Sequence, residues 1–182
     1  MLLNKQNTKR LDPKDFHTNY SCNNKKHIKK TITHFSKEQY DASNKQIKKN
    51  ISNICNLVEK GLIEVEINEI VIRGEIVTYA LTTTYKDSNL CVLNLLYVEP
   101  QFRCFGLAST LVETLMLKSD IQGEAFMVEL DKEEVFKIKP FYKRLGLDTT
   151  ATGIFPTNIA ISNQENFERL SNSGKWKISK AA

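Results

Sequence analysis

Two apolar runs with a helical segment between them constrain this chain more than anything else in it. Leu90 to Val98 (LCVLNLLYV) is almost continuously apolar, which suits a strand buried on both faces, and Pro100 ends it. Leu107, Leu111, Val112, Leu115 and Met116 then recur at helical spacing up to about Ser119. A Gln122-Gly123 turn follows, and Ala125 to Leu130 (AFMVEL) is a second buried strand. Strand, helix and strand joined at this length form a crossover, so the two apolar strands are expected to lie parallel in one sheet. The class is α/β.

The flanking sequence fills in the rest of the sheet. Leu62 to Ile72 (LIEVEINEIVI) alternates apolar and acidic residues, and Glu75 to Tyr85 (EIVTYALTTTY) is rich in β-branched and aromatic ones, with Arg73-Gly74 between them. These predict an antiparallel pair of strands, followed by a turn at Lys86 to Asn89. Upstream, Ile28, Ile32 and Phe35, then Ile47, Ile51, Ile54, Leu57 and Val58, recur every three or four residues, which predicts helices with one basic face, stopped at Gly61. Downstream, a second helix is expected around Pro140 to Leu145, stopped by Gly146, and a last strand near Asn158 to Ile161.

A chain of 182 residues with 41% hydrophobic and 26% charged residues falls in the ordinary range of one folded domain with an N-terminal extension. No run approaches the roughly 18 apolar residues of a membrane span. The opening MLLNKQNTKR turns polar after two leucines and lacks the apolar core of a secretory signal, so a cytoplasmic protein is expected. Cys22, Cys55, Cys91 and Cys104 include no CxxC pair and no zinc-like spacing with histidine, which points to free thiols and to no metal site. Charge is uneven: residues 1 to 60 hold 13 Lys or Arg against 5 Asp or Glu, leaving 13 against 16 for the remainder. The basic third is either a solvated helical face or a surface for a polyanion.

The segment RCFGLA, Arg103 to Ala108, lies where the first apolar strand gives way to the helix. A turn from strand into helix presents unpaired backbone N–H groups at the positive end of the helix dipole, a setting that binds phosphate. Small residues are needed where a ligand comes close to the backbone, and Gly106 and Ala108 meet that need. Arg103 either adds charge for the phosphate or braces the loop. By composition alone such a pattern arises about once per thousand positions, so its weight comes from the strand before it and the helix after it.

VEPQFRCFGLASTLVETLM together with FYKRLGL, whose Tyr142 stands 36 residues beyond Gly106, resembles the GNAT superfamily of acyl-CoA-dependent N-acyltransferases. The resemblance is specific over about residues 90 to 147. It implies a GNAT fold: a central mixed, mostly antiparallel sheet with a parallel pair at the cofactor cleft, flanked by helices. It implies acetyl-CoA as co-substrate, its pyrophosphate held by Arg103, Cys104, Phe105, Gly106, Leu107 and Ala108. The backbone of Tyr97 and Val98 would bond the acetyl and pantetheine groups, and Tyr142, in the segment that also carries Gly146, would protonate the departing thiolate. No metal is implied. Cys104 and Phe105 stand where the family often has Gly and Lys or Arg, and Val135 stands where it often has Asn.

Acyl transfer to an amine needs an unprotonated nucleophile, a stabilised oxyanion and a proton for the coenzyme A sulfur. No general base is identifiable: Asn94 cannot serve, and Glu99 and Glu129 are the candidates. An α-amino acceptor, with a pKa of about 7.7 to 8.0, needs little help from a base. The acceptor is a primary amine on a small molecule, a peptide or an aminoacyl-tRNA. The last is suggested by a likeness of Tyr20 to Ile32 (YSCNNKKHIKKTI) to the toxin-like GNATs, in which Lys25, Lys26, Lys29 and Lys30 would meet tRNA phosphates. A GNAT-like domain that binds acyl-CoA or a partner without catalysis is the other alternative, and a homodimer is left open. The expected organisation is a lead-in over 1–24, an acyltransferase domain over 25–162 with its basic helical region at 25–60 and its sheet and cofactor site at 62–162, and a tail over 163–182.

Overall fold

The computed structural model describes residues 20–21, 25–40, 44–129, 135–147 and 159–162. In chain order these form strand β1 (Tyr20–Ser21), helices α1 (Lys25–Tyr40) and α2 (Asn44–Glu59), and strands β2 (Ile63–Ile72), β3 (Glu75–Tyr85) and β4 (Leu90–Val98). A short 3-10 helix (Pro100–Phe102), helix α3 (Leu107–Ile121), strand β5 (Ala125–Glu129), helix α4 (Val135–Arg144) and strand β6 (Ile159–Ser162) follow. The strands make one sheet in sequence order. Every neighbouring pair is antiparallel except β4 and β5, which the α3 crossover makes parallel.

The alternation in β2 becomes two faces of this sheet. Ile63, Val65 and Ile67 join Leu81 from β3 and Ile28 and Ile32 from α1 in one buried cluster, with Ile51, Ile54, Leu57 and Val58 of α2 against it. On the opposite face Ile70, Ala80, Cys91, Leu93, Phe126 and Val128 pack with Leu107, Leu111, Val112 and Leu115 of α3. The basic helices therefore cover one face and the crossover helix the other, each through its apolar stripe.

The structure departs from the sequence reading at four places. Tyr20–Ser21, read as part of a loose lead-in, pairs with Ile67 and Glu66 of β2, a match too short to leave a periodicity. Helix α4 begins at Val135 and runs through Pro140, whereas the sequence placed it around Pro140 to Leu145. The last strand is Ile159–Ser162, and Asn158 and Leu130 lie outside the described residues. Finally, β4 is not uniformly buried: Leu90 to Leu93 are, and Asn94 is exposed.

The end of the sheet away from the motif closes on a polar recess between Glu64, Glu66, Cys91, Lys118, Ser119 and Glu124, with Lys118 paired to Glu66. Cys55, Cys91 and Cys104 are free thiols, and Cys22 lies outside the described residues. Burial pushes the Cys91 thiol up to about 11 from its ordinary 9.0, the Glu124 charge adding to the effect and the Ser119 hydroxyl opposing it. The unfolded thiol thus ionises first on raising the pH. Its contribution is full below pH 9.0 and lost as pH climbs towards about 11. The stability advantage of the native chain over Cys91→Ala should shrink by about 2 kcal/mol between about pH 8 and about pH 11 in urea titrations.

Candidate active site

The site begins where β4 leaves β5. Among the described residues, Leu90 to Leu93 pair with β5, against Ala125 to Val128, and the rest of β4 runs on without a described partner on that side. On the other side the register with β3 skips Asn94: Leu93 faces Thr82 and Leu95 faces Leu81. Asn94 is the extra residue of a β-bulge, and such a residue reverses the alternation beyond it. Cys91 and Leu93 pack on the α3 face, as do Leu96 and Val98, so the parity changes at the bulge. Leu95 and Tyr97 are thereby turned to the face covered by α1 and α2.

The backbone at the end of β4 has two directions. The Glu99 N–H donates to the Val77 carbonyl at 2.9 Å, towards β3. The Val98 carbonyl points the other way, towards the gap left by β5, and accepts from Arg103 Nε at 3.1 Å. Strand alternation gives Tyr97 the direction of Glu99, so of the two residues expected to present backbone groups, Val98 presents them to the gap and Tyr97 contributes a ring. The Arg103 guanidinium carbon stands 6.0 Å from the centre of that ring. Arg103 acts here as a brace between the turn and the strand.

The turn itself is shaped by dihedrals and not by crowding. Gly106, the N-cap of α3, has φ 81° and ψ 0°, and a Cβ there would meet nothing within 4 Å. Cys104 also takes a left-handed φ of 66°, a conformation that costs a non-glycine residue roughly 1–2 kcal/mol. This accounts physically for the glycine often found at that position in the family pattern. Thr110 is the first residue whose N–H reaches back into the helix, to the Gly106 carbonyl at 3.0 Å, so the N–H groups of Leu107, Ala108 and Ser109 point out of its end. No side chain caps that end and its first turn holds no acidic residue, which leaves the positive pole of the dipole uncompensated. Phe105 is 49% exposed beside it. The end of α3 and the Arg103–Gly106 turn fit an anionic group through backbone N–H donors.

Tyr142 lies near the C-terminal end of α4, 5% exposed, in the same core cluster as Leu107, and with Val98 and Phe102 packed against that cluster. Its ring meets Phe141 edge-on at 4.9 Å. The structure brings Glu99 close to Tyr97, whose hydroxyl lies 3.4 Å from the Glu99 carboxylate. Glu129 ends β5, and Asn94 is taken up by the bulge. Two side chains at this end escaped the sequence reading. Tyr79 stacks on Tyr97 with centroids 5.2 Å apart, and the His34 ring meets both edge-on, at 5.7 and 6.0 Å. His34 sits off the apolar stripe of α1, and its only signal was that the chain has three histidines.

By sequence the chain matches no protein-family model and no curated protein. By structure it is similar to an acetyltransferase of the GNAT family from Staphylococcus aureus, at 13% identity over 80% of this chain and 98% of the other, with a TM-score of 0.56. It is similar also to the PaiA N-acetyltransferase of Thermoplasma acidophilum in complex with coenzyme A, at 13% identity over 79% and 95% of the two chains and a TM-score of 0.52. A GNAT-family acetyltransferase from Desulfovibrio desulfuricans gives 10% identity over 79% and 92%, with a TM-score of 0.51. The fold of the chain is the GNAT fold, which supports the resemblance first read from its motifs.

The strained turn supplies a direct check. Cys104→Gly should raise stability by about 0.5–1 kcal/mol, the relief of the left-handed strain less the added freedom of glycine in the unfolded chain, read as a higher urea midpoint with an unchanged slope.

Proposed function

We propose that the chain is an N-acetyltransferase that moves an acetyl group from acetyl-CoA to a primary amine. The observation that carries this reading is the parting of β4 from β5 beside an uncapped helix end entered through a left-handed glycine. Acetyl-CoA, when bound, supplies the thioester carbonyl carbon that an amine attacks. Its pyrophosphate would be held by the backbone from Arg103 to Ala108, that is Arg103, Cys104, Phe105, Gly106, Leu107 and Ala108, with the α3 dipole behind them. The peptide groups of Val98 would bond the extended arm along β4, and Tyr97 would wall the same end with its ring. Tyr142 would give its phenolic proton to the departing sulfur, a role that its sheltered place in the core allows because phenol is neutral until about pH 10. The acyltransferase unit is read as residues 25–162.

A second reading narrows the acceptor to aminoacyl-tRNA. It is favoured by Lys29, Lys30, Lys48 and Lys49, which are exposed on α1 and α2. A polyanion crossing these helices would release counterions, so binding would weaken steeply with salt. Phe105, exposed where a cation is common in the family, favours the non-catalytic alternative, and release of coenzyme A with amines separates the two.

Gly106→Trp places a bulky residue in a left-handed conformation at the helix end, and calorimetric titration with acetyl-CoA should show binding abolished. Unchanged binding there would remove the phosphate site from the turn. Tyr142→Phe should lower kcat about 10²-fold or more while acetyl-CoA affinity stays within about 2-fold, since a general acid acts on the transition state and not on the bound ground state.

A further inference from the structure

The acidic half of the β2 alternation is not turned to open solvent. Ile63, Val65 and Ile67 face the basic helices, so Glu64 and Glu66 fall on the α3 face. There they stand beside Thr84 and Thr82 of β3, and Cys91 of β4 continues the row from Thr84. Leu115, Lys118 and Ser119 from the last two turns of α3, with its C-cap Gln122, close over the row, and Glu124 closes it at the start of β5. The space between them is a polar recess of about 340 Å³, its open mouth included. A sheet face under a helix is ordinarily filled with apolar side chains, so a polar hollow at this place asks for an occupant.

Three observations say what fits there. The first is charge. Glu64 is paired with Lys86 at 2.8 Å and Glu66 with Lys118, so two ammonium groups stand against three carboxylates among the described residues, and the count leaves one negative charge in excess. The C-terminal end of α3 adds the negative pole of its dipole at the same place. Burial holds the Glu124 carboxyl above its ordinary 4.5; Lys118 opposes the shift, Glu66 and Glu64 add to it, and the Ser119 hydroxyl opposes it. The second is a waiting acceptor: Thr82 lines the recess, is 2% exposed, and makes no side-chain hydrogen bond to any described residue. The third is spacing. Among the described residues no three His, Cys, Asp or Glu groups are placed to hold a metal ion, so the fitting cation is one that carries donors out to separate oxygens. We infer that this recess is a binding site for a short primary alkylammonium ion, its N–H donors on Glu124 and Thr82 and its stem against Leu115. Helix α3 spans Leu107–Ile121, about 20 Å at 1.5 Å per residue, and the recess and the Arg103–Gly106 turn lie at its opposite ends. The recess therefore stands as a site whether or not the turn binds acetyl-CoA.

The test uses the full chain with ethylammonium chloride as the probe. Potassium chloride at the same concentrations controls for ionic strength, and tetramethylammonium chloride for a cation without N–H donors. Ethylammonium should shift the methyl resonances of Thr82 and Leu115 saturably and leave those of Leu57, on the other face, where they are. At about ten times its Kd it should raise the unfolding temperature by about 3 °C. Glu124→Gln, which removes the charge and keeps the shape, should weaken binding about 10-fold or more. Thr82→Val, which removes only the hydroxyl and suits a strand, should weaken it several-fold, and Glu75→Gln, at the far end of β3, should leave it unchanged. No saturable shift in the wild type overturns the site. An equal shift with potassium or tetramethylammonium also overturns it, as does binding that both Glu124→Gln and Thr82→Val leave intact.

Discussion

The candidate site depends on one constraint: among the described residues, β4 pairs with β5 over four residues, Leu90 to Leu93. A parallel pair made by a crossover helix is normally covered along its whole length, because strand edges left open carry unpaired N–H and C=O groups. Here the bulge at Asn94 bends β4 at the residue after its last partner in β5, and the two events act together. The bulge changes which face each later side chain takes, and beyond it the Val98 carbonyl is turned away from β3 to the Arg103 side chain. Without it, Leu95 and Tyr97 would fall on the α3 face with Cys91 and Leu93, and no aromatic wall would stand under α1.

That one distortion divides the molecule's labour between faces. The α3 side holds the turn, the helix end and Tyr142, all built around backbone N–H groups and a buried core. The α1 side holds the ionisable groups, His34 and Glu99, and the exposed lysines.

Much of this was legible in the sequence because it is local. The alternation of β2, the apolar runs of β4 and β5 and the spacing of α3 each depend on neighbours a few residues apart, and all three elements formed close to where their patterns placed them. The glycine motif was legible for the same reason, since its demands on Gly106 are dihedral demands. Asn94 was visible as one polar residue in an apolar run, yet nothing local says that it is a bulge; that depends on how β3 registers against β4. The His34 cluster was illegible because three separate elements supply it and no spacing links them. Strand β1 was missed since two residues make no period.

The structure also alters what Arg103 is for. An uncharged Phe105 in the turn leaves Arg103 as its one cation, and the natural expectation is that the guanidinium meets a phosphate. Instead its Nε is committed to the Val98 carbonyl and its plane lies near the Tyr97 ring. A residue held in this way links the turn before α3 to the end of β4. Under the proposed reading the backbone N–H groups and the helix dipole, which act within the first helical turn, would meet the anion. Strain at Cys104 and a helix end without a cap both lower stability, and neither is compensated within the turn. Such uncompensated costs concentrate where a ligand supplies the missing partners, which is the physical support for proposing an anion there.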